Sequence, residues 1–163
     1  MTIAVYPGSF DPITLGHVDI LTRASQLFDD VVLAVVKNPG KKPNIPIEER
    51  LAQAEQSVSH LTNVTVQAFE GLTVNLAKAH GAKVIIRGLR AVSDFEYEFA
   101  MSQMNKRLCP TVETIFMMAG LEYQFLSSSM TNEVASLGGS VQGLVPEHVG
   151  QYLAQRAAQG GHL

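Results

Sequence analysis

Short apolar runs alternate along this chain with segments of helical periodicity, and this alternation constrains the fold more than any other feature. Val31–Val36 is the clearest apolar run, because six apolar residues that include four valines suit a strand buried on both faces. Further strands are predicted, from apolar and β-branched composition, at residues 2–6, 64–69, 84–86 and 114–118. Helices are predicted, from apolar spacing and end signals, at residues 17–28, from 46 onward, and at 74–80, 93–108, 131–137 and 146–158.

An alternation of this kind predicts an α/β fold. The expected architecture is a Rossmann-like, doubly wound, five-stranded parallel sheet with helices on both faces and a C-terminal helical extension. No linker divides the sequence, so residues 1–163 are expected to form a single domain. Ligands of such sheets bind beyond the carboxyl ends of the strands, and the loops that follow the strands are therefore where a site is expected.

The composition bears on partners and location. Charged residues make up 17% of the chain, against roughly 25% in an average globular protein. Either the buried fraction is large or sister subunits cover part of the surface, and we favour the second explanation. The net charge of −3 argues against a nucleic-acid partner. Neither a signal-like N-terminus nor a membrane-length apolar run is visible, so no membrane partner and a cytoplasmic location are expected.

The loop after the first strand has the features of a phosphate-binding turn. Gly8 permits close backbone approach, Ser9 offers a hydroxyl, and the following helix presents free N–H groups at its start. Thr14 is predicted to cap that helix, with His17 in its first turn. An isolated histidine would more often be a surface residue near a cap, but the glycine-flanked helix start favours a ligand-binding role.

Basic residues cluster at two more strand ends. Five of the twelve lysines and arginines fall in the loops at 37–42 and 87–90, after the second and fourth strands. Lysines in a loop are often only solvated, and a lone arginine beside a strand is often structural. Their convergence on the same sheet edge as His17, together with the hydroxyls of Ser127–Ser129 before another helix, predicts a polyphosphate site.

Motifs that are missing narrow the chemistry. The sequence lacks GxxxxGK[ST], GxGxxG, GxSxG and HExxH patterns, which disfavours P-loop phosphoryl transfer, dinucleotide redox chemistry and the common hydrolase mechanisms. Cys109 precedes a proline at a helix end, and we expect it to be structural. The histidines show no metal-ligand spacing, so no protein-held metal is expected. A site of cations and hydroxyls without a nucleophile suits direct in-line displacement at phosphorus.

Three motifs, in order along the chain, resemble a known family. Tyr6–Pro12 followed by Thr14–His17 resembles the signature of the nucleotidylyltransferase superfamily, whose core motif is (H/T)xGH. Ile86–Arg90 with Asp94–Glu98, and then Ser127–Ser129, are similar to the bacterial phosphopantetheine adenylyltransferase family. The resemblance implies that ATP and 4′-phosphopantetheine react to give dephospho-coenzyme A and pyrophosphate, with Mg²⁺ carried by ATP. It also implies a homohexamer and feedback inhibition by coenzyme A.

The resemblance assigns roles to individual residues. His17 is expected to be catalytic and to stabilise the pentacovalent α-phosphorus, while Ser9 and Phe10 contact nucleotide phosphate. The acceptor is expected to be held by four residues: Ser9, Lys41, Thr73 and Arg87. ATP is expected to be enclosed by Gly88, Leu89, Arg90, Glu98, Tyr123, Gln124, Phe125, Leu126, Ser127, Ser128 and Ser129. Lys42 is an alternative to Lys41, and Glu98 is alternatively an exposed helix carboxylate.

Other functions stay open at this point. A nicotinamide-mononucleotide adenylyltransferase or a CTP-using cytidylyltransferase would use the same superfamily motif. A nucleotide sensor without turnover would need the loops, but not His17 together with a second anion site at Lys41 and Arg87. The helix around Met101 and Met104 is interpreted as core or subunit interface.

Overall fold

The computed structural model describes residues 1–38, 40, 42–90 and 92–160, with the backbone alone for Val92 and Ser93. Lys41, and the side chain of Ser93 at the predicted start of the fourth helix, lie outside the described residues. In chain order the elements are β1 (Ile3–Gly8), α1 (Leu15–Leu27), β2 (Asp30–Val36), α2 (Ile47–Val58), β3 (Val64–Phe69), α3 (Thr73–Ala79), β4 (Val84–Leu89), α4 (Val92–Leu108), β5 (Glu113–Met118), a 3₁₀ turn (Leu121–Tyr123), α5 (Ser128–Ser136) and α6 (Glu147–Ala158).

The five strands form one parallel sheet in the order β3-β2-β1-β4-β5, which confirms the predicted fold class. Successive strand residues point to opposite faces, as the pleat requires. Ala4 and Tyr6 pack with residues of α1, α2, α5 and α6, whereas Val5 packs with α3 on the other face. The central strands β1 and β2 are apolar and buried, as Val31–Val36 indicated, whereas the edge strands β3 and β5 include polar and exposed residues.

The order of the strands reverses between β1 and β4, and the sheet opens there. β1 pairs with β2 along its whole length, from Ile3 to Gly8. Its pairing with β4 is confined to two positions, Ala4 with Val84 and Val5 with Ile85. Beyond these positions the two strands separate toward their carboxyl ends. This is the switch point at which sheets of this type bind ligands.

Several element boundaries differ from the sequence prediction. β4 continues to Leu89 instead of ending at Ile86, because Arg87, Gly88 and Leu89 pair with residues of β5. Arg87 is tolerated within the strand because its side chain is paired at the sheet edge with Glu98 and the carbonyl of Pro7. α5 begins at Ser128, three residues earlier than predicted, since the hydroxyl of Ser127 caps it by accepting the N–H of Met130 at 3.1 Å.

Exposed apolar side chains lie on more than one side of α4. Met101 and Met104 are 39% and 51% exposed, so the interpretation of these methionines as core is wrong for the chain by itself. Phe95 and Phe99 are also exposed and stack on each other. Cys109, at the end of the same helix, is buried. Within the part of the chain that the structure describes, no helix is long and apolar enough to cross a membrane.

Candidate active site

Two adjoining cavities occupy the carboxyl edge of the sheet. The smaller cavity, of about 290 Å³, lies in the opening between β1 and β4. The larger cavity, of about 580 Å³, lies beside it, beyond the end of β2. Ser9, Ser128 and Ser129 line both, so the two cavities meet at these three hydroxyls. A site of this form can hold two ligands side by side.

His17 lines the smaller cavity and is fixed there by the start of α1. Thr14 is the N-cap of the helix, as predicted, and its backbone N–H donates to Nδ1 of His17 at 3.0 Å. The backbone N–H of His17 in turn donates to the Thr14 hydroxyl at 3.4 Å. Since Nδ1 accepts a hydrogen bond from a backbone N–H, the proton of the neutral ring lies on Nε2. His17 therefore presents a single N–H donor on the side of the ring away from the cap.

The surroundings of His17 keep the ring neutral. Burial, followed by the positive charges of Arg90 and Arg87, lowers the pKa of His17 to about 4. Phe10 covers one edge of the imidazole, with the ring centroids 5.0 Å apart. At neutral pH the residue is thus a hydrogen-bond donor that does not repel a bound cation or take up a proton.

The loop between β1 and α1 is tightly constrained around Phe10. Phe10 has a φ of 43°, in the left-handed region that residues with a side chain rarely adopt. Its ring is buried and packs against Gly8, where a Cβ atom would lie 2.9 Å from the ring. The Phe10 side chain is therefore committed to the core, and only its backbone is available to a ligand. Ser9, by contrast, is exposed toward both cavities.

Arg87 and Glu98 form a bidentate ion pair in the smaller cavity. The Arg87 guanidinium donates to the two carboxylate oxygens of Glu98 at 2.7 and 2.6 Å, and to the carbonyl of Pro7 at 2.7 Å. The bond to Pro7 bridges β1 and β4 where these strands separate. Burial disfavours the charged guanidinium, but the hydrogen bonds and charge of Glu98 outweigh it and raise the pKa of Arg87. The Glu98 side chain is only 12% exposed, so the alternative of an exposed helix carboxylate is wrong.

Of the remaining residues predicted to bind ATP, some line the smaller cavity and others lie at the surface. Arg90 lines the smaller cavity and donates to Asp94 and to the carbonyl of Leu126. Gly88 lines it too, and a Cβ there would lie 2.6 Å from Ile20. Of the three serines, Ser127 caps α5, Ser128 donates to the carbonyl of Pro12 at 2.7 Å, and Ser129 is exposed.

The five other residues of that set contribute less directly. Leu89 and Leu126 have buried side chains. Tyr123 lines a small recess of about 60 Å³ beside His17. Phe125 is 87% exposed, and neither Phe125 nor Gln124 is among the described residues that line these cavities.

The larger cavity carries cations, but not all those predicted for the acceptor. Lys37, Lys42 and Arg50 line it, together with Glu70. Lys41, the predicted phosphate ligand, lies outside the described residues, and Arg87 opens into the smaller cavity. Thr73 is the first residue of α3 and is not among the described residues that line the larger cavity. The structure therefore does not bring its side chain to the cavity proposed for the acceptor.

Arg50 and Asp11 are site residues that the sequence analysis missed. Arg50 is buried and donates to the carbonyls of Ile45, Ser9 and Val36, at 3.0, 2.7 and 3.2 Å. The buried carboxylate of Asp11 accepts the backbone N–H groups of Asn44 and Ile45, both at 2.8 Å. Together the two side chains tie three loops into the floor of the larger cavity. The sequence did contain a signal for Arg50. It is a charged residue beside Leu51 and Ala54 on the apolar face of a predicted helix, and charged residues are seldom buried without a partner.

Comparison with known proteins identifies the family. The cytidylyltransferase-like family model matches residues 5–134. The phosphopantetheine adenylyltransferase of Carboxydothermus hydrogenoformans is 55% identical over 161 residues, covering 99% of both chains. That of Heliobacterium modesticaldum is 55% identical over 156 residues, covering 96% of this chain and 93% of the relative. That of Gloeobacter violaceus is 53% identical over 156 residues, with 96% and 97% covered.

A solved structure supports the same fold. The crystal structure of a candidate nicotinate-nucleotide adenylyltransferase from Vibrio parahaemolyticus superposes with a TM-score of 0.73, covering 96% of this chain and 94% of the other. At 16% identity it is evidence for the fold alone. The sequence relatives, which span nearly the whole chain at more than half identity, go further. The chain belongs to the phosphopantetheine adenylyltransferase family of cytidylyltransferase-like enzymes and is a nucleotidyltransferase.

Proposed function

We propose that this enzyme transfers the adenylyl group of ATP to 4′-phosphopantetheine, giving dephospho-coenzyme A and pyrophosphate. The observation that carries the proposal is the pair of adjoining cavities that meet at Ser9, Ser128 and Ser129, with the fixed N–H donor of His17 in the smaller one. The smaller cavity would take the nucleotide phosphates. The larger one, which has twice the volume and is lined by both lysines and apolar surface, would take the phosphorylated acceptor.

The proposed reaction is a single displacement at the α-phosphorus of ATP. An oxygen of the acceptor phosphate attacks, a new phosphoanhydride bond forms, and the bond to the β-phosphate breaks as pyrophosphate leaves. The Nε2–H of His17 donates to an α-phosphate oxygen as negative charge builds on it. A neutral donor that is fixed before the reaction stabilises that charge without any proton transfer. The proposed displacement needs no covalent intermediate on any of these residues.

Cations on both sides of the reacting centre suit the charges of the two substrates. Arg90 would contact nucleotide phosphates beside the N-terminus of α5, where Ser127–Ser129 present hydroxyls and backbone N–H groups. Arg87 would reach the acceptor phosphate from between β1 and β4, with Lys42 on the opposite side; Lys41 stays the ligand that the family resemblance predicts. To do so Arg87 must share or exchange its contacts with Glu98.

Mg²⁺ is proposed to enter with ATP. In the described part of the chain no three His, Cys, Asp or Glu side chains come together in a way that could hold a metal ion. The cation would instead be held by triphosphate oxygens, where it neutralises charge on the leaving pyrophosphate.

The assembly and its regulation are proposals as well. The exposed apolar side chains of α4, together with Ile115 and Met118 on the edge strand β5, favour a homo-oligomer, and the family resemblance makes that a homohexamer. Inhibition by coenzyme A is proposed because coenzyme A, a close relative of the product dephospho-coenzyme A, carries the same pantetheine arm. We expect the enzyme to act in the cytoplasm.

An acceptor panel tests the proposed function. The enzyme is incubated with Mg²⁺ and either ATP or CTP, together with 4′-phosphopantetheine, nicotinamide mononucleotide, pantetheine or no acceptor, and pyrophosphate is measured. We expect release only with ATP and 4′-phosphopantetheine, since the acceptor cavity must be filled by a phosphorylated arm. Equal turnover with nicotinamide mononucleotide would contradict the substrate assignment, and ATP binding without turnover on any acceptor would support a sensor.

A further inference from the structure

The turn that leaves β5 is joined to α1 by a pair of charged residues that the reaction does not use directly. We name residues 118–123 the β5 exit turn. Asp19 and Arg23 lie one helical turn apart on α1, with Arg23 Nη2 donating to Asp19 Oδ2 at 2.7 Å. Each side chain also binds the backbone at the exit turn, about a hundred residues further along the chain. Arg23 donates to the carbonyl of Met118 at 2.6 Å, and Asp19 accepts the N–H of Gly120 at 3.1 Å.

These bonds determine how closely the exit turn approaches the start of α1. Tyr123 packs on Gly16, where a Cβ atom would lie 3.3 Å from the Cβ of Tyr123. Gly16, Asp19 and Arg23 are spaced three and four residues apart, so they form one stripe on the helix. His17 lies next to Gly16 on the same helix. The turn and the histidine are therefore held in one unit through α1.

The exit turn forms one side of the recess that adjoins the smaller cavity. Ala119 and Tyr123 line this recess, and Tyr6, His17, Gly88 and Arg90 line both the recess and the smaller cavity. In contrast, the larger cavity has no lining residue from the exit turn among those the structure describes. A displacement of the turn would thus alter the nucleotide side of the site and leave the acceptor side unaltered.

We infer that Asp19 and Arg23 are positioning residues for the nucleotide: their paired hydrogen bonds to Gly120 and Met118 hold the β5 exit turn against α1 and so complete the nucleotide side of the site. This inference rests on the proposed function, because it takes ATP to be the ligand of the smaller cavity. Neither residue contacts a ligand cavity itself, and both act through the turn.

Affinities of Asp19 variants for each substrate test the inference. Asp19→Ala loses the acceptor for Gly120 N–H and the partner of Arg23, whereas Asp19→Asn keeps an oxygen for Gly120. The dissociation constants of Mg·ATP and of 4′-phosphopantetheine are measured separately by calorimetry, alongside the KM values and the Tm. For Asp19→Ala we expect the ATP constant to rise about tenfold, since a charge-assisted hydrogen bond is lost, with the acceptor constant unaltered. Asp19→Asn should recover much of the ATP affinity.

Asp29→Ala is the matched control, because Asp29 also accepts a backbone N–H, that of Thr2, but far from both cavities. It should leave both affinities unaltered. If Asp19→Ala is poorly folded, Arg23→Ala is measured in its place and should have the same selective effect on ATP. A lower Tm with unaltered ATP affinity, or an equal loss for both substrates, would overturn the positioning role while leaving adenylyl transfer intact. Failure of the wild-type enzyme to bind ATP would overturn both proposals.

Discussion

Substitution of His17 by asparagine separates two roles that the imidazole combines. Nδ1 accepts the backbone N–H of Thr14 at 3.0 Å and so helps to cap α1, while Nε2–H is left for the ligand. The side-chain oxygen of asparagine can take the place of Nδ1, but nothing remains at the position of Nε2. His17→Gln keeps the donor and loses the cap. Its amide N–H reaches toward the position of Nε2, but no acceptor remains for the N–H of Thr14.

The two roles differ in expected size. Removal of a preorganised donor to charge that develops in the transition state costs about 2.7–4 kcal/mol, or about 10²–10³ in kcat. Loss of a helix cap costs about 1 kcal/mol of unfolding free energy, which is about 2–4 °C in Tm for a chain of this size. His17→Asn should therefore lose about 10²–10³ in kcat with a nearly unchanged Tm. His17→Ala should lose both, and His17→Gln should lose Tm but keep more of its activity.

Steady-state pyrophosphate release at saturating Mg·ATP and acceptor gives kcat, and calorimetry gives the ATP dissociation constant. Because the donor acts mainly on the transition state, ATP affinity should change by no more than about threefold in His17→Asn. A variant with nearly wild-type kcat would refute the catalytic role. A loss of ATP affinity that matches the loss of rate would make His17 a ground-state ligand instead.

Three further predictions concern charge, anion binding and assembly. Since the pKa of His17 is lowered to about 4, nitrogen NMR should show a neutral ring with the proton on Nε2 at pH 6. The activity that depends on neutral His17 should be lost only as the pH falls through about 4. A ring that titrates near pH 6.5 would contradict this. Arg87→Ala should raise the acceptor KM by more than about tenfold, and it should lower the Tm because it leaves buried Glu98 unpaired. Glu98→Gln is the control for the lost ion pair. An unchanged acceptor KM in Arg87→Ala would refute the anion-binding role. Met101→Lys with Met104→Lys should lower the molecular mass measured by light scattering, and an unchanged assembly would show that this face of α4 is not the interface.

Much of the fold follows from local patterns that no tertiary contact overrides. The predicted bounds of β3 agree with the structure at both ends, and those of β2 differ by one residue, because polar or charged residues flank each run, Asn63 and Glu70 around β3 and Asp30 and Lys37 around β2. β4 was predicted too short because Arg87 interrupts its apolar run. Pairing with β5 and the ion pair with Glu98 keep that arginine in the strand, and both are contacts between segments that sequence spacing does not relate.

The candidate site was predictable where the strand-end rule applies and less so elsewhere. His17, Ser9, Arg87, Arg90 and Ser127–Ser129 come together at one edge, as parallel strands require. The left-handed conformation of Phe10 was not predictable, since nothing in its own sequence requires it.

Residues that act through distant backbone were missed for a related reason. Arg50 binds the carbonyls of Ser9, Val36 and Ile45, and Asp19 binds the N–H of Gly120, about a hundred residues further along the chain. In sequence each is only a charged residue on a helix. Phe125 was expected near ATP because of the motif around it, yet its side chain is exposed.

The stereochemical course at the α-phosphorus tests the central claim, a single direct transfer of the adenylyl group to the acceptor phosphate. The enzyme is supplied with 4′-phosphopantetheine, Mg²⁺ and ATP that is made chiral at the α-phosphorus with oxygen isotopes, and the product is analysed by phosphorus NMR. One in-line displacement predicts dephospho-coenzyme A with inverted configuration at that phosphorus. Retention, which requires two displacements and hence a covalent intermediate, would contradict the account, as would the absence of dephospho-coenzyme A.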